Sequence, residues 1–355
     1  MPRFDYLLLG TLFALAAIAG GQEPVLTGLP EPPVPAATEV PPADWLGESC
    51  YTNGYPMYRC EDGSCCRQWW CETWYARAEL LTLARNYSAS GTIIETAGGA
   101  PVFTGNDIGF GLAPGISTLL GHRLDGQTAV ELVYFGANQW NQEQAFAQPG
   151  NLNLPGALGT LDDFNHANAM SVALRSQLHN AEVNYLHDVG NVSLLAGFRF
   201  LNWQEQLSIV ATDSDASHSS YRVNLSNNMP GGQLGARVAR YYGGIDFELT
   251  GKAGIFGNRA SQAQGVGNLG NTVSIRNVGA TNNEVSFIGD LNLSAVCPLT
   301  PNWRVRGGYN LMYVSGLALA VNQLDFSNQS FSGRRVHPNS DVFLHGFNVG
   351  LEVVW

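Results

Sequence analysis

Apolar and polar residues alternate with a period of two from Trp74 to the end of the chain. One clear segment sets an apolar row against a polar row: Val192, Leu194, Ala196, Phe198 and Phe200 against Ser193, Gly197 and Arg199. Successive side chains of a β-strand point to opposite faces, so this period predicts strands rather than helices. No convincing helix of three turns is found, and the chain is predicted to be a series of β-hairpins.

Ten strands are predicted, and their connections alternate between long and short. The strands lie near residues 74–85, 110–121, 127–137, 172–186, 190–211, 219–240, 243–256, 284–296, 302–317 and 342–355. Long connections are expected at 86–109, 138–171, 257–283 and 318–341, with a protruding hairpin broken at 212–218, and short ones at 122–126, 187–189, 241–242 and 297–301. This sidedness is typical of an antiparallel up-and-down outer-membrane barrel with both termini on the short-turn, periplasmic side. Two weak strands hidden in the long loops would raise the number to twelve.

Alternation alone leaves the outward face open, because a soluble barrel with an apolar core has the same period. The composition favours lipid outside: charged residues make up 13% of the chain, and Lys252 is its one lysine. A water-solvated surface normally carries many lysines. An outward Arg or Lys near the bilayer midplane costs about 2–4 kcal/mol, so one face of each strand must be free of charge. The polar faces, rich in Gly, Asn, Ser and Arg, are therefore predicted to enclose a lumen.

Five arginines, one lysine and seven carboxylates are predicted to line this lumen: Arg77, Glu79, Glu131, Glu182, Arg199, Arg237, Asp246, Glu248, Lys252, Asp290, Arg304, Arg306 and Glu352. In a channel, such mixed charges would give weak ion selectivity. In a plugged barrel the same groups would be paired and purely structural. Aromatic residues near strand ends predict an interfacial girdle: Trp74, Tyr241, Tyr242, Trp303, Tyr313 and Trp355.

The region before the barrel is predicted to hold three segments. Residues 1–19 show Arg3, an apolar run and small residues at a cleavage site, as expected of a secretory signal peptide. Residues 20–47 are a proline-rich linker, and 48–72 a cysteine-rich periplasmic segment, followed by the barrel over 73–355. Disulfides are expected among six cysteines, with zinc as the alternative, and the pairing is left open: Cys50, Cys60, Cys65, Cys66, Cys71 and Cys297. Five local cysteines leave one over, and Cys297 is its natural partner.

Three other patterns give weak signals. Gly265 to Gly270 reads GVGNLG but lacks the preceding strand and following helix of a dinucleotide site. Asp213 and Asp215 could ligate calcium, although the rest of a ligand loop is missing. No cofactor or metal is therefore predicted. A rim hydrolase would use His345 or His218 as its base, while His122 is expected at a periplasmic turn; no serine lies in a nucleophile motif.

Several stretches resemble the seventh family of outer-membrane β-barrel porins: NAEVNYLHD at 180–188, LLAGFRFLNWQEQL at 194–207, GGQLGAR at 231–237, RGGYNLMYVSGLALAVNQL at 306–324 and HGFNVGLEVVW at 345–355. The resemblance covers nearly everything after the cysteine-rich segment. It implies a barrel in the outer membrane of a double-membraned bacterium. It also implies that the terminal Trp355 is recognised by the barrel-insertion machinery. The family supplies no established substrate or catalytic residues.

The pattern and the resemblance together favour a narrow passive channel for ions or small polar solutes, embedded in outer-membrane lipid. A plugged structural or adhesion barrel acting through long surface loops is the alternative, and an outer-membrane hydrolase is a weaker one. The formal net charge of −11 argues against a nucleic-acid partner. The oligomeric state is left open.

Overall fold

The computed structural model describes residues 50–52, 55–59, 65–67, 74–86, 89, 91–213 and 217–355. Three short strands, β1 Cys50–Thr52, β2 Tyr55–Arg59 and β3 Cys65–Arg67, form a small antiparallel sheet. The predicted signal peptide and linker lie outside the described residues, as does much of the cysteine-rich segment. No helix in the described part of the chain is both long and apolar enough to cross a membrane.

The remaining strands are β4 Trp74–Asn86, β5 Thr92–Thr96, β6 Pro101–Thr104, β7 Ala113–Arg123, β8 Thr128–Asn153, β9 Ala167–Val189, β10 Val192–Thr212, β11 His218–Tyr242, β12 Ile245–Asn268, β13 Val273–Pro298, β14 Trp303–Leu317 and β15 Ser340–Val354. Ten of these described strands, β4 and β7 to β15, form a closed antiparallel ring in which β15 pairs with β4. The predicted all-β, ten-stranded barrel is confirmed. The two additional strands, β5 and β6, form a hairpin attached to the end of β8 and do not enter the ring.

Short turns at 124–127, 190–191, 243–244 and 299–302 lie at one end of the barrel, which we call the turn end, and the opposite end is the loop end. The first and last barrel residues meet at the turn end, where the backbones of Trp74 and Trp355 exchange two hydrogen bonds of 3.0 and 2.9 Å. The turn predicted at 241–242 is wrong by two residues, since β11 continues to Tyr242 and the turn lies at 243–244. Gly243 and Gly244 have φ of 60° and 89°, the left-handed conformation that a two-residue hairpin requires.

Two predicted long loops are also wrong. Most of 138–171 and 257–283 belongs to β8, β9, β12 and β13, which continue as paired strands to Asn153, Ala167, Asn268 and Val273. The alternation of apolar outward residues stops in these stretches, so the lipid-facing pattern ends while the strands continue.

The polarity of the barrel wall inverts along the strands, as β10 shows. Leu194, Phe198 and Phe200 are exposed on the outside, while the inward Arg199 is buried. Beyond Phe200 the outward residues are polar: Asn202, Gln204, Gln206 and Ser208. The inward residues there become mostly apolar and buried: Leu201, Trp203, Leu207 and Ile209, with Glu205 among them. We call the part with apolar outward residues the membrane tier and the part with polar outward residues the loop tier.

Inward side chains from all ten ring strands meet in one buried cluster, which we call the apolar layer. Its members are Leu81, Leu83, Ala113, Trp140, Leu178, Leu201, Trp203, Met229, Phe256, Ile288, Met312, Val314, Leu317, Leu319, Val342 and Leu344. The Trp140 and Trp203 rings stack with centroids 5.6 Å apart. A second buried cluster fills the loop tier, where Ile93, Leu158, Phe164 and Ala320 from the connecting segments pack against the strands.

Candidate functional site: the charged lumen

All thirteen predicted lumen residues lie inside the membrane tier, and twelve of them enter ion pairs within 4 Å. They alternate along their strands with outward apolar residues, so the period of two brings them together. The remaining one, Asp246, lines a cavity at the turn end.

Glu182 is the acceptor at the centre of the first group of charges. Its carboxylate lies 2.7 Å from Arg199 Nη2 and 2.8 Å from Lys252 Nζ. Asp290 also pairs with Arg199, and its Oδ1 lies 3.7 Å from Lys252 Nζ. Glu182 further accepts side-chain hydrogen bonds from three amides: Asn180, Asn184 and Gln233. A buried carboxylate with this many donors is compensated for its loss of water.

Arg237 connects two other carboxylates. It donates in bidentate geometry to Glu131, at 2.8 and 2.9 Å, and its Nε lies 3.2 Å from Glu248. The Tyr75 hydroxyl donates to the same Glu131 at 2.8 Å, although sequence analysis did not select this tyrosine. Planar guanidinium groups suit such shared pairing better than the point charge of a lysine, which explains the preference for arginine in the lumen.

Arg306 links the strands of the barrel seam. Its Nη1 lies 3.0 Å from Glu248 and 2.9 Å from Glu352, and its Nε lies 3.6 Å from Glu79. Glu352 also pairs with Arg304 at 3.1 Å, and Arg77 lies 3.6 Å from Glu79. These pairs join β4, β12, β14 and β15, so the charge network spans the β15–β4 closure.

Two cavities lie on either side of this network. One of about 200 Å³ is at the turn end, lined by residues that include Asp188, Asp246 and Arg304. The other, about 110 Å³, lies deeper and reaches Leu83 and Met312 of the apolar layer. Both cavities are lined by the same three residues of the network, Arg77, Glu131 and Arg237. The polar space of the lumen therefore extends from the turn end as far as the apolar layer.

A further ion pair lies on the loop-end side of the apolar layer, and sequence analysis missed it. Arg85 Nη2 lies 2.6 Å from Glu205 Oε1, and both side chains have no exposed surface. The guanidinium lies between the Phe110 and Trp203 rings, 4.7 and 4.8 Å from their centroids. Glu205 Oε2 accepts the backbone N–H of Ala320 at 2.7 Å. The pair therefore attaches the 318–339 connection to the barrel wall. Parity was the available signal, because Arg85 continues the inward row of Arg77 and Glu79.

Two other buried polar residues hold the loop-end connections. The Asp163 carboxylate accepts hydrogen bonds from Ser217, Ser219 and the Gly270 backbone, which joins the tips of two hairpins to the β8–β9 connection. Arg276, which is fully buried, donates to the carbonyl oxygens of Asp325 and Ser327.

The predicted girdle residues are exposed, and five of the six project outward. Trp74, Tyr242, Trp303 and Trp355 lie at the turn end, and Tyr313 lies toward the loop end. Tyr241 instead lines the turn-end cavity, because it shares the inward parity of Arg237 on β11.

The disulfide prediction falls largely outside the described side chains. Cys297 lies at the turn end with an exposed thiol and forms no disulfide within the described part of the chain. The backbones of Cys50, Cys65 and Cys66 are described but their side chains are not, and Cys60 and Cys71 lie outside the described residues. The pairing thus stays a prediction.

The weaker motifs are separated in the structure. Gly265–Gly270 spans the end of β12 and its turn, without a following helix. The ring of His345 hydrogen-bonds Tyr309 on the outward face, His218 bonds Thr212 at a hairpin tip, and His122 stacks on Trp74. Asp215 lies outside the described residues. Among the residues that the structure does describe, no three His, Cys, Asp or Glu side chains are grouped as metal ligands.

The fold and the inward charges define an outer-membrane β-barrel. Residues 165–355, more than half of the chain, match the family model described as Putative beta barrel porin-7 (BBP7). The chain belongs to this family. No curated protein sequence matches it.

Solved structures with a similar fold are outer-membrane barrels of low sequence identity. The outer membrane protease OmpT from Escherichia coli is 13% identical, with a TM-score of 0.43, over 80% of this chain and 97% of that one. The translocator domain of the autotransporter NalP from Neisseria meningitidis is 10% identical, with a TM-score of 0.39, over 80% and 88%. A FadL homologue of Pseudomonas aeruginosa is 10% identical, with a TM-score of 0.32, over 79% and 90%. Likenesses at this level do not specify an activity.

Proposed function

We propose that this protein is a closed outer-membrane barrel whose membrane tier anchors a rigid loop tier at the cell surface. The loop end would face the exterior, and the turn end, with both mature termini, the periplasm. One observation carries the proposal: all ten ring strands contribute to the apolar layer, which lies between the polar cavities and the loop end. Ions do not cross a packed apolar layer of this kind without displacing it.

The size of the barrel supports the proposal. About eight strands give an interior just filled by side chains, whereas about 16–18 leave an aqueous channel. Ten strands fall close to the filled limit. The stacked rings of Trp140 and Trp203, exposed by 2% and 0%, fill part of the additional interior that ten strands enclose compared with eight.

The paired state of the lumen charges agrees with a structural role. A conducting pore needs sites that bind an ion weakly enough to release it. Here Glu182 has two cationic and three amide partners, and Arg237 donates to Glu131 in bidentate geometry. Replacing such contacts by a hydrated ion would leave buried charges without compensation.

The loop tier supports a role at the surface. Hairpins β8–β9, β10–β11 and β12–β13 extend beyond the lipid-facing rows as paired strands rather than mobile loops. Their interior is a second apolar core closed by Phe164, Ala320 and other connecting residues. Such a structure can present a fixed surface for recognition or adhesion. The terminal Trp355 would serve as the signal for the barrel-insertion machinery.

The narrow passive channel is the second candidate. It is favoured by the two polar cavities in the membrane tier and by the family description. For conduction, the apolar layer would have to move aside, together with the connection held by Glu205. An enzymatic role is the least supported, because the His218 ring bonds only the Thr212 hydroxyl in the contacts described, while the His218 backbone carbonyl accepts the side-chain amide of Asn271.

Planar-bilayer recordings of the refolded full chain test the closed state. We expect wild type to give no ohmic steps, and the double variant Trp140→Ala, Trp203→Ala to conduct if its void fills with water. Phe198→Ala and Phe200→Ala on the lipid face are the matched control and should stay silent. Wild-type steps whose selectivity changes with Arg304→Glu would contradict the proposal and establish the channel.

Labelling of whole cells tests the orientation. Thr281→Cys places a thiol on the exposed outward face of the loop tier, whereas Ala196→Cys places one on the lipid-facing surface. A membrane-impermeant maleimide, with the modified peptides mapped by mass, should label position 281 and leave 196 and Cys297 unlabelled. Labelling of Cys297 but not position 281 on intact cells would reverse the orientation.

A further inference from the structure

The edge of the lipid-facing surface is defined by two rows of paired residues across β9 to β13. Ala181, Phe200, Pro230, Gly257 and Val285 form the last row without polar side chains. The next row toward the loop end consists of His179, Asn202, Asn228, Arg259 and Asn283, which are partners in register on adjacent strands. We call the second row the boundary row.

Three exposed arginines lie on the outward face at or above the boundary row. Arg259 is in the row itself, Arg175 is two rows above it, and Arg222 is three rows above it. None of them forms an ion pair or side-chain hydrogen bond within the described part of the chain, whereas the lumen arginines are paired. These three arginines therefore do not neutralise buried carboxylates as the lumen arginines do.

The outward face around them carries little negative charge. From the boundary row to the strand tips, the outward positions of β9 to β13 contain no Asp or Glu, although the chain as a whole has a formal charge of −11. The outward carboxylate of Glu143 lies on the neighbouring strand β8, opposite Ala173 and one row from Arg175. The positions between the arginines carry neutral amides, among them Gln177, Gln204, Gln206 and Asn224. This part of the wall is locally cationic and rich in hydrogen-bond donors.

The height of the three arginines above the lipid-facing surface indicates which ligand can reach them. Rows are about 6.7 Å apart along a strand, which corresponds to roughly 5 Å of height at a barrel tilt of ~40°. Partners in one row also differ in height by about 3 Å from strand to strand at that tilt, so Arg222, on the strand next to Arg259, lies roughly 12–18 Å above it. A polar headgroup layer is only about 5–8 Å deep on each side of the bilayer, so a phospholipid would reach Arg259 but not Arg222.

We propose that this outward face of β9 to β12 binds the phosphorylated headgroup of a glycolipid of the outer leaflet. Arg259 would pair with phosphate at the membrane surface, and Arg175 and Arg222 with phosphate or carboxylate on sugars farther out. Amides such as Gln204 and Gln206 would donate to sugar hydroxyls. The inference rests on the proposed orientation, with the loop end outside, and not on whether the lumen conducts.

Binding of purified lipopolysaccharide to the detergent-solubilised full chain tests the proposal. We expect the triple variant Arg175→Gln, Arg222→Gln, Arg259→Gln to bind about 3- to 100-fold more weakly, because each exposed charge contact contributes a factor of about 1.4–5. Arg240→Gln is the matched control, since Arg240 is exposed on β11 at the opposite end, and it should bind within twofold of wild type. Each single variant is measured as well, and heat-modified gel migration shows that the barrels are folded.

Two further probes identify the source of the anionic group. Lipopolysaccharide that has been dephosphorylated should bind wild type as weakly as it binds the triple variant. Phosphatidylglycerol vesicles should bind weakly, and their binding should respond to Arg259→Gln but not to Arg222→Gln. Equal binding of lipopolysaccharide by wild type and the triple variant would overturn the proposal, and so would a phosphatidylglycerol affinity equal to that for lipopolysaccharide. Labelling of Thr281→Cys on intact cells separates a failure of orientation from a failure of this site.

Discussion

Arg85 and Glu205 form an ion pair with no exposed side-chain surface on the loop-end side of the apolar layer. The two residues come from β4 and β10, on opposite parts of the ring. Glu205 also accepts the Ala320 N–H, so the pair connects the barrel wall to the 318–339 connection between β14 and β15. A fully buried charge pair is costly to break, which makes it a strong point of attachment.

Glu205→Gln should therefore destabilise the barrel and release the 318–339 connection. Removing one partner of a buried pair costs about 3–5 kcal/mol, because the other charge is left uncompensated. Urea unfolding in lipid vesicles and proteolysis after Leu319 measure the two effects. The double change Arg85→Met, Glu205→Leu should restore most of the stability, since it leaves no unpaired charge. A single variant as stable as wild type would contradict this account.

Glu182→Gln should destabilise the membrane tier more than Asp290→Asn. Glu182 is the shared acceptor for Arg199 and Lys252, whereas loss of Asp290 leaves both cations on Glu182. We expect about 3–5 kcal/mol for the first change and a smaller loss for the second, both measured by urea unfolding. Glu143→Gln on the exposed outward face of β8 is the control and should have little effect. Equal losses for the two lumen variants would show that Asp290 contributes as much as Glu182 and that Glu182 is not the central acceptor of the group.

Gly350→Ala should prevent closure of the barrel. A Cβ at this position would lie 2.1 Å from the Ala78 carbonyl oxygen across the β15–β4 seam, and backbone cannot move aside cheaply. Gly232→Ala, a lipid-facing glycine whose Cβ would meet nothing within 4 Å, is the matched control. The loss of heat-modifiable gel migration in the first variant and its retention in the second would support the seam geometry. A normally folded Gly350→Ala protein would contradict it.

Acidification should loosen the 318–339 connection before the barrel unfolds. Burial acts to raise the pKa of the Asp325 carboxyl, but hydrogen bonds from Ser327 and Gly333 and the Arg276 charge outweigh it, and the net pKa is lowered. A carboxyl with a lowered folded-state pKa contributes stability above its ordinary pKa of about 4, and this is lost as the pH falls through the folded-state value.

Limited proteolysis between about pH 2 and pH 7, a range that spans the ordinary carboxyl pKa, measures how readily the connection is cleaved. An acid-stable protease such as pepsin is used at the acidic points. Cleavage within 326–335 should increase as the pH falls below the ordinary value. Asp325→Asn should be cleaved readily at every pH, with no such increase. Unchanged cleavage of the wild type through this range would show that Asp325 does not hold the connection.

The period of two was sufficient to predict the ten strands of the ring and to place thirteen charged residues on its inward face. This succeeded because lipid excludes charge from one face of each strand, so Arg199 and Glu182 had to lie on the other face. The exact pairings were beyond the sequence, since Arg237 reaches Glu131 across strands whose register depends on several turns.

The loop tier could not be predicted by the same rule. Beyond Phe200 the outward face meets water and the inward face is apolar. Residues such as Trp140 and Trp203 therefore lie at inward positions, as apolar residues do in a soluble barrel. Stretches rich in Asn, Gln and Gly then resemble loops, although they continue as paired strands. Arg85 was missed for a related reason, because its environment is set by the ring of Phe110, in the connection before β7, and the ring of Trp203 on β10.

The two backbone hydrogen bonds between Trp74 and Trp355 have a consequence for biogenesis. Until β15 pairs with β4, each of these two strands has one edge of unpaired backbone N–H and C=O groups. An unpaired edge can pair with a strand of another chain, so an intermediate that lacks this closure is prone to aggregate.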